Sequence, residues 1–398
     1  MIVSSCPWAL AGLALGLASI AYLLIAIRGV TKHPRFPLAS ASAPGFTPPV
    51  TILKPLCGAE SNLYECLRSF CAQDYGDYQV VFGVADPDDP AIAVVRRLMQ
   101  EFSDRDIALA VNPTARGSNP KVANLINMMS AVKHAFVVVS DSDVRIEPDG
   151  LQRVLAPLAS ARVGAVTCLY KGAPAGGIAS LLGALFINEW FIPSVLVDAE
   201  INGIDFCFGP VTAVRRAALD AIGGFGPLAD HLADDFMLGQ LVARAGYQIV
   251  LSPHAVDTVV DEPGLHSLIR HELRWARTVR TCRPLDHVLS LVTQALPLTA
   301  LLVLAWEPSL LGSAVLATVI LLRLRLSRVV SERFALGETP LWLIPIRECL
   351  CFAVWAASLV GTGVRWRGRR FSITRDGRLV GGAASEPQVL DTAPAPLA

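Results

Sequence analysis

Residues 8–27 contain no charged side chain, and this stretch limits the possible folds more than any other feature of the sequence. A run of about 20 apolar residues is long enough for a helix to cross the hydrocarbon core of a bilayer. Residues 1–7 carry no basic side chain, which favours an uncleaved anchor over a signal peptide. Arg28, Lys32 and Arg35 follow the stretch, so we predict that the N-terminus lies outside and that the chain then enters the cytoplasm.

A second apolar block occupies residues 287–364 and contains three runs, 288–305, 309–322 and 341–362. Arginines lie between the second and third runs and again after the third (Arg323, Arg325, Arg328, Arg333, Arg365, Arg367, Arg369, Arg370). Such clusters stay on the cytoplasmic side, but three complete spans would leave one cluster outside. We therefore expect two to three membrane segments, with one run interfacial or re-entrant. The best candidate is the start of the last run, which contains Pro345, Arg347 and Glu348.

The composition excludes two other classes of protein. Hydrophobic residues make up 53% of the 398 residues and charged residues 17%, which argues against a disordered chain. Lys+Arg and Asp+Glu number 34 each, so the net charge is zero and we predict no nucleic-acid partner. Only the segment 381–398, which is rich in small residues and proline, is expected to form a disordered tail.

Residues 45–260 alternate short β-rich runs with amphipathic helical patterns. The predicted strands are 50–55, 78–84, 106–111, 135–141 and 163–170. Alternation of this kind predicts an α/β domain with a doubly wound, Rossmann-like parallel sheet. Ligands of such sheets bind at the carboxyl ends of the strands, so the residues that follow each strand are the candidates for a site.

Aspartates follow two of these strands. Asp86 lies in the loop after strand 78–84, and Asp141 and Asp143 lie at the end of strand 135–141. Two carboxylates spaced by one residue can hold a hard divalent cation such as Mg²⁺ or Mn²⁺, which in turn neutralises a diphosphate. A solvated loop is the alternative. The chain has neither a G-x-G-x-x-G nor a Walker A sequence, which argues against a dinucleotide or nucleoside-triphosphatase site.

Two later segments carry further candidates. Asp234 and Asp235 precede an amphipathic run, where an aspartate can cap a helix or serve as a general base. Residues 264–284 form a predicted amphipathic helix, which before a membrane segment can simply lie among lipid headgroups. Arg274 and Trp275 on this helix have a second possible role, because arginine binds phosphate and tryptophan stacks on a sugar or an apolar acceptor.

The motifs D-P-x-D-P (86–90), G-x-N-P-K (117–121), D-S-D (141–143), A-D-D (233–235) and H-E-L-R-W (271–275) follow one another along the chain. In this order they resemble the ceramide-glucosyltransferase-like family of inverting glycosyltransferases, whose domain has the GT-A fold. The sequences ILKPLCGAE, NPKVANLINM and GAVTCLY bring the resemblance closest to the hopanoid-biosynthesis branch of that family. The resemblance implies a cytoplasmic GT-A domain between N-terminal and C-terminal transmembrane helices in the bacterial inner membrane.

The resemblance also implies an activity. Members of the hopanoid branch transfer N-acetylglucosamine from a UDP donor to the hydroxyl of a bacteriohopanepolyol and use a divalent cation, Mg²⁺ or Mn²⁺. A ceramide glucosyltransferase that uses UDP-glucose and a processive polysaccharide synthase are the alternatives. His271 stands where the broader family carries Gln or Arg, and processive synthases resemble the Gln form, so His271 disfavours a polymerase. The expected partners are the UDP-sugar, the membrane lipid and other enzymes of lipid biosynthesis.

Carried over position by position, the resemblance implies a site with one base, a metal pair and a donor-binding set. Asp235 would be the catalytic base, and Asp141 and Asp143 would hold the diphosphate through the cation. In the donor-binding set Asp86 would contact the uridine, Lys121 would lie near the nucleotide, and Asp141 would act through the metal. His271, Arg274 and Trp275 would close over the diphosphate and the acceptor.

Overall fold

The computed structural model of the chain describes residues 7–34, 45–305, 309–366 and 369–384. Its first element is helix α1 (Pro7–Lys32), which contains the predicted anchor 8–27 and continues past Arg28. Arg35 and Arg367 of the predicted basic clusters lie outside the described residues.

The first half of the α/β domain forms as the alternation predicts. Strands β1 to β4 pair in the order β3-β2-β1-β4, and all neighbours are parallel. Every residue of β1, β2 and β4 is buried, as is typical of a parallel sheet covered on both faces. The elements are β1 (Val50–Pro55), α2 (Leu63–Cys71), β2 (Tyr78–Val84), α3 (Ala91–Glu101), β3 (Asp106–Val111), α4 (Pro120–Met128) and β4 (Phe136–Ser140).

The second half makes the sheet mixed. Its elements are β5 (Val144–Arg145), α5 (Gly150–Leu155), β6 (Val163–Pro174), α6 (Gly177–Phe186), α7 (Ile192–Ile201), β7 (Val211–Arg215), α8 (Arg216–Ala221), α9 (Asp234–Arg244) and β8 (Gln248–Val260). The eight strands follow the order β3-β2-β1-β4-β7-β6-β8-β5, in which β7 is antiparallel to both β4 and β6, and β5 is antiparallel to β8. The prediction of a wholly parallel sheet is therefore wrong here. The chain leaves β6 through a helical stretch that packs on α1, and β7 then returns beside β4 in the opposite direction.

Residues 177–201 form a long apolar helical stretch inside the region that we predicted to be an α/β domain. A π-helical segment, Ile187–Phe191, joins α6 to α7. The stretch has 25 residues and is apolar enough to cross a membrane, although most of its apolar part is buried inside the protein. Tyr22 of α1 hydrogen-bonds Ser194 of α7 at 3.0 Å. The α/β domain and the N-terminal helix therefore share one core.

The C-terminal block contains α10 (Leu265–Cys282), α11 (Pro284–Leu289), α12 (Ala295–Ala305), α13 (Leu310–Phe334) and α14 (Leu343–Ser358). By length and composition, three helical stretches of the described residues could cross a membrane, namely 11–32, 177–201 and 310–334. The helix pair 284–293 and 295–303, which is bent by 61°, could form a fourth span. The basic cluster expected between two apolar runs lies instead inside α13.

Helix α14 lies alongside the amphipathic helix α10. Leu343 at the start of α14 packs in one cluster with Leu268 of α10, and Ser358 at its end accepts a hydrogen bond from Arg280. The helix has only 16 residues. The expectation that the last apolar run is not a complete span stays a prediction.

A three-stranded antiparallel sheet ends the described chain, with β9 (Gly363–Trp366), β10 (Arg369–Ile373) and β11 (Leu379–Ala384) in the order β11-β10-β9. One face buries a small apolar cluster against Leu232 of the α/β domain (Val364, Phe371, Ile373, Leu379). The expectation of a tail from residue 381 is wrong for 381–384, which pair with β10, and 385–398 lie outside the described residues.

Candidate active site

Lys121, in the first turn of α4, forms ion pairs with aspartates at the end of β4 and at the start of α9. Its Nζ lies 2.6 Å from Asp141 Oδ1 and 3.6 Å from Asp234 Oδ2. Burial alone would lower the pKa of Lys121, but the negative charges of Asp141, Asp234 and Asp235 raise it. The lysine is therefore a permanent cation at neutral pH among three of the aspartates that the motifs contain.

Asn119 fixes the position of this lysine. The fully buried Asn119 side chain caps α4, because its Oδ1 accepts hydrogen bonds from the backbone N–H groups of Lys121 and Val122 at 2.9 and 3.1 Å. Its Nδ2 donates to the carbonyl of His231 at 2.7 Å and to Asp234 Oδ1 at 3.3 Å. One amide thus holds both the start of α4 and the loop before α9.

Asp234 and Asp235 are adjacent but have different surroundings. The capping role that the sequence left open is not seen, because Ala233 is the N-cap residue of α9 and no side chain caps the helix there. Asp235 Oδ1 accepts the backbone N–H of Phe236 at 2.8 Å. Burial, followed by the charge of Asp234, raises the pKa of Asp235 to about 6, although Lys121 opposes the shift. A carboxylate of this kind is ionised at neutral pH and still basic enough to accept a proton.

We predict that activity falls as the pH drops through about 6, because a base works in its ionised form and Asp235 is protonated in that range. Measured across the acidic range, kcat should rise with pH to a plateau near neutrality. Asp234→Asn removes the neighbouring negative charge, so the midpoint in this variant should move to lower pH. A profile that stays flat through pH 6 in the unmodified protein would contradict the prediction.

Gly209 brings the backbone close to three of these side chains. A Cβ atom at this position would lie 2.9 Å from Asp141 Oδ2, 3.4 Å from Asp235 Oδ2 and 3.6 Å from Lys121 Nζ. The residue stands just before β7, whose antiparallel return beside β4 brings the loop to Asp141. Any side chain at this position would therefore push against Asp141 and Asp235.

We predict that Gly209→Ala lowers kcat roughly 100-fold, because the added methyl group displaces either the ligand or the carboxylates by a fraction of an ångström to an ångström. Steady-state kinetics would measure the loss. Gly226→Ala is the matched control, since a Cβ there meets nothing within 4 Å. Equal activities of the two variants would show that the close packing at Gly209 has no effect on the reaction.

Asp143 lies in a second acidic cluster. Burial, followed by the charges of Asp141 and Glu60, raises the pKa of Asp143 to about 7, although Lys54 lowers it. Lys54 is fully buried beneath the cluster, and its Nζ donates to the backbone carbonyl of Asp141 at 2.6 Å. Glu60 is exposed in the loop after β1. Negative charge is therefore in excess at the end of β4.

This excess of carboxylate oxygen fits a hard divalent cation. Asp141 and Asp143 supply oxygen donors, and their mutual repulsion contributes to the raised pKa of Asp143. Mg²⁺ is typically held in proteins by one or two carboxylates, with waters and substrate phosphates completing the octahedron. Among the residues that the structure describes, no group of three or more His, Cys, Asp or Glu side chains is arranged to hold a metal. The residues present suit a cation that is shared with a bound diphosphate.

Asp86 lies at the end of β2, apart from both clusters. It is exposed, and its Oδ1 accepts the backbone N–H of Asp88 at 2.9 Å, which shapes its own loop. The buried residue of this loop is Asp89, whose carboxylate accepts the backbone N–H of Gly58. The structure leaves the Asp86 carboxylate accessible at the carboxyl edge of the sheet.

The H-E-L-R-W segment lies on α10 and forms a cluster of its own. His271 Nδ1 lies 2.7 Å from Glu262 Oε1, and the His271 ring centroid lies 4.2 Å from that of Trp275. Trp275 also stacks on Phe186 of α6 at 5.9 Å. Arg274 is half-buried on the same helix. Within the described ranges no hydrogen bond or ion pair connects His271 to the aspartates, so the structure does not join it to the acidic clusters.

Sequence reasoning missed several residues of the site. Lys54 and Glu60 stand in I-L-K-P-L-C-G-A-E at the carboxyl end of β1, so the rule on strand ends could have found them. Asn119 precedes Pro120 at the first turn of a helix, a recognisable capping pattern. Gly209 had no such signal, because its position depends on β7.

The mixed sheet, with acidic loops at the carboxyl ends of its strands, defines a GT-A domain. The chain belongs to glycosyl transferase family 21, whose family model matches residues 11–379. The mannosyltransferase PcManGT from Pyrobaculum calidifontis, solved with GDP-Man and Mn²⁺, superposes with a TM-score of 0.58 and 22% identity. The match covers 88% of this chain and 97% of that one. At this identity the likeness shows the fold, and the predicted GT-A architecture is confirmed.

The chain is also similar in sequence to other glycosyltransferases. Ceramide glucosyltransferase 3 of Caenorhabditis elegans is 26% identical over 233 residues, which are 58% of this chain and 50% of that protein. An N-acetylglucosaminyltransferase of Azorhizobium caulinodans is 23% identical over 244 residues, 58% of this chain and 60% of that protein. The chain thus matches about half the length of its nematode relative. The resemblance to the ceramide-glucosyltransferase-like family is confirmed, and the hopanoid branch stays a prediction.

Proposed function

We propose that the chain transfers one sugar from a UDP-sugar to the hydroxyl group of a membrane lipid, with inversion at the sugar carbon. The position of Asp235 carries this proposal. Its carboxylate lies beside Gly209, where Asp141 and Lys121 also approach, and the next residue, Phe236, packs on Phe206 at a centroid distance of 5.6 Å. Phe206 belongs to the apolar core that contains Leu23 of α1. A base at this junction can meet a donor held at the sheet and an acceptor that stays in the membrane.

In the proposed reaction Asp235 takes the proton from the acceptor hydroxyl as its oxygen attacks C1 of the sugar and the bond from C1 to UDP breaks. Lys121 places a buried positive charge close to the departing diphosphate. Asp141 and Asp143 would hold a divalent cation, which when bound stabilises the negative charge of the leaving UDP. Asn119 keeps Lys121 and Asp234 in place through its four hydrogen bonds.

The remaining donor-binding residues complete the proposal. Asp86, exposed beyond β2, would accept a hydrogen bond from the uridine. His271, Arg274 and Trp275 on α10 would close over the diphosphate and the acceptor. In the described structure His271 contacts both Glu262 and Trp275.

The finer assignment follows the resemblance. The donor would be UDP-N-acetylglucosamine and the acceptor a bacteriohopanepolyol, in the bacterial inner membrane with the catalytic domain facing the cytoplasm and other lipid-biosynthesis enzymes as partners. The N-acetylglucosaminyltransferase of A. caulinodans supports this sugar, while the ceramide glucosyltransferases support UDP-glucose and ceramide as the alternative. The apolar helices support a membrane location.

Membranes that contain the chain are incubated with UDP-N-acetylglucosamine or UDP-glucose, and with bacteriohopanetetrol or ceramide. The extracted lipids are then identified by mass spectrometry. The expected product is bacteriohopanetetrol that carries one N-acetylhexosamine. A hexose on ceramide would replace the finer assignment and keep the lipid transferase. A water-soluble polymer would contradict both and favour a polysaccharide synthase. Membranes that contain the Asp235→Asn variant are the negative control.

We predict that chelation abolishes transfer and that added Mn²⁺ or Mg²⁺ restores it, because Asp141 and Asp143 cannot neutralise a diphosphate without a cation. Product formation before and after dialysis against a chelator measures the effect. Asp143→Ala should raise the metal concentration required for half-maximal rate. A preparation that is equally active after chelation would exclude the metal role.

A further inference from the structure

The C-terminal sheet carries two arginines directly opposite each other. In the register of β10 with β9, Arg370 faces Arg365, and the neighbouring pair is Phe371 with Val364. Successive side chains of a strand point to opposite faces, and Phe371 and Val364 are buried against Leu232. Arg365 and Arg370 therefore stand together on the outer face, where both are exposed.

This arrangement is unfavourable in the isolated protein, since like charges directly opposite on adjacent strands destabilise a sheet. In the part of the chain that the structure describes, no ion pair involves Arg365 or Arg370, whereas Arg378 in the turn between β10 and β11 pairs with Asp376 at 3.0 Å. The outer face of the sheet thus has a concentrated positive charge, and no carboxylate within residues 7–34, 45–305, 309–366 and 369–384 forms an ion pair with it.

The sheet directly follows the helices of the membrane region. Residues 359 and 360, which connect α14 to β9, are apolar and exposed, Val360 to 68%. This connection is held in place by α10, because Arg277 and Arg280 donate to the carbonyls of 358, 360, 361 and 363. The exposed apolar surface continues on α11, where Leu285 is 69% exposed. The positive face therefore begins a few residues from a surface suited to lipid.

We propose that the outer face of the C-terminal sheet, defined by Arg365 and Arg370, binds the anionic headgroups of the membrane leaflet beneath it. Charge complementarity and continuity with the membrane helices select this occupant. Attraction to an anionic leaflet offsets the repulsion between the two arginines, and each basic residue near such a surface strengthens binding about five-fold. The inference rests on the proposed membrane location, and it is independent of the sugar-transfer chemistry.

The experiment measures hydrogen exchange of β9 and β10 in the full chain, reconstituted in nanodiscs of phosphatidylcholine alone or mixed with phosphatidylglycerol. We expect the anionic lipid to slow exchange of these strands by up to about 30-fold, the effect of two basic residues, and added salt to reverse the change. The double variant R365Q/R370Q should exchange at the same rate in both nanodiscs. The double variant R96Q/R162Q removes the same charge from two exposed positions of the α/β domain and should behave as the unmodified chain.

Equal exchange of the unmodified chain in both nanodiscs would overturn the proposal, as would anionic protection that persists in R365Q/R370Q. Protection by free inorganic phosphate in phosphatidylcholine nanodiscs would also overturn it, because the face would then be a soluble-anion site. If R365Q/R370Q unfolds the sheet, β9 to β11 will exchange fast in both nanodiscs. In that case the single variant R370Q replaces the double variant. The readout requires no sugar donor, so a failure of the proposed function leaves this test intact.

Discussion

Asp235→Asn is expected to lower kcat by a factor of about 10²–10⁴, the contribution of a general base, while the affinity for the UDP-sugar changes little. The amide has the shape of the carboxylate and can still accept the backbone N–H of Phe236, so α9 should keep its position. What the variant loses is the basic oxygen that lies beside Gly209.

Initial rates of product formation measure kcat, and isothermal titration measures donor affinity. Asp220→Asn is the matched control, because Asp220 lies on α8 with 60% of its side chain exposed and pairs with Arg216 of the same helix at 3.5 Å. Near-wild-type turnover of Asp235→Asn would refute the assignment of the base. Loss of donor binding together with turnover would instead indicate that Asp235 acts in holding the nucleotide.

Arg347→Leu is expected to destabilise the protein by about 3–5 kcal/mol, because it leaves the carboxylate of Glu272 buried without a partner. The two side chains are each only 2% exposed, and they make a bidentate pair with N···O distances of 2.6 and 2.7 Å. Glu272 lies in the H-E-L-R-W segment of α10 and Arg347 in α14. This pair therefore fixes α10 against α14.

Thermal unfolding in detergent would detect the change as an apparent Tm lowered by about 4–6 °C. The double variant E272L/R347L should recover most of the loss, since removing both members of a buried ion pair is often neutral. Arg325→Leu is the control, as Arg325 is exposed on α13. A Tm of Arg347→Leu equal to that of the control would show that the pair contributes nothing to stability.

The sequence predicted well those parts in which the physical signal is local. Strands β1 to β4 are continuous apolar runs between amphipathic helices, so periodicity alone marks them, and parallel pairing then brings Asp141 and Asp143 to the carboxyl edge of the sheet. The uncharged stretch within α1 is of the same kind, because its length alone makes it suited to a bilayer.

The other half of the domain could not be predicted in this way. Strand β8 is interrupted by polar residues and a proline and is recognisable only through its pairing with β6. The stretch 177–201 is apolar, and only its packing on α1 shows that the α/β domain and the anchor share a core. Residues 381–384 carry no strand signal and are ordered by pairing with β10.

The sequence by itself determined which residue types are available for the chemistry: aspartates after strands, a lysine at a helix start and an arginine-tryptophan pair on an amphipathic helix. Only the tertiary structure decided how they combine. The antiparallel return of β7 places Gly209 between Asp141 and Asp235. Asn119 hydrogen-bonds Asp234 and holds it beside Lys121. Burial then raises the pKa of Asp235 to about 6, and burial results from elements distant in sequence packing together, which no local pattern contains.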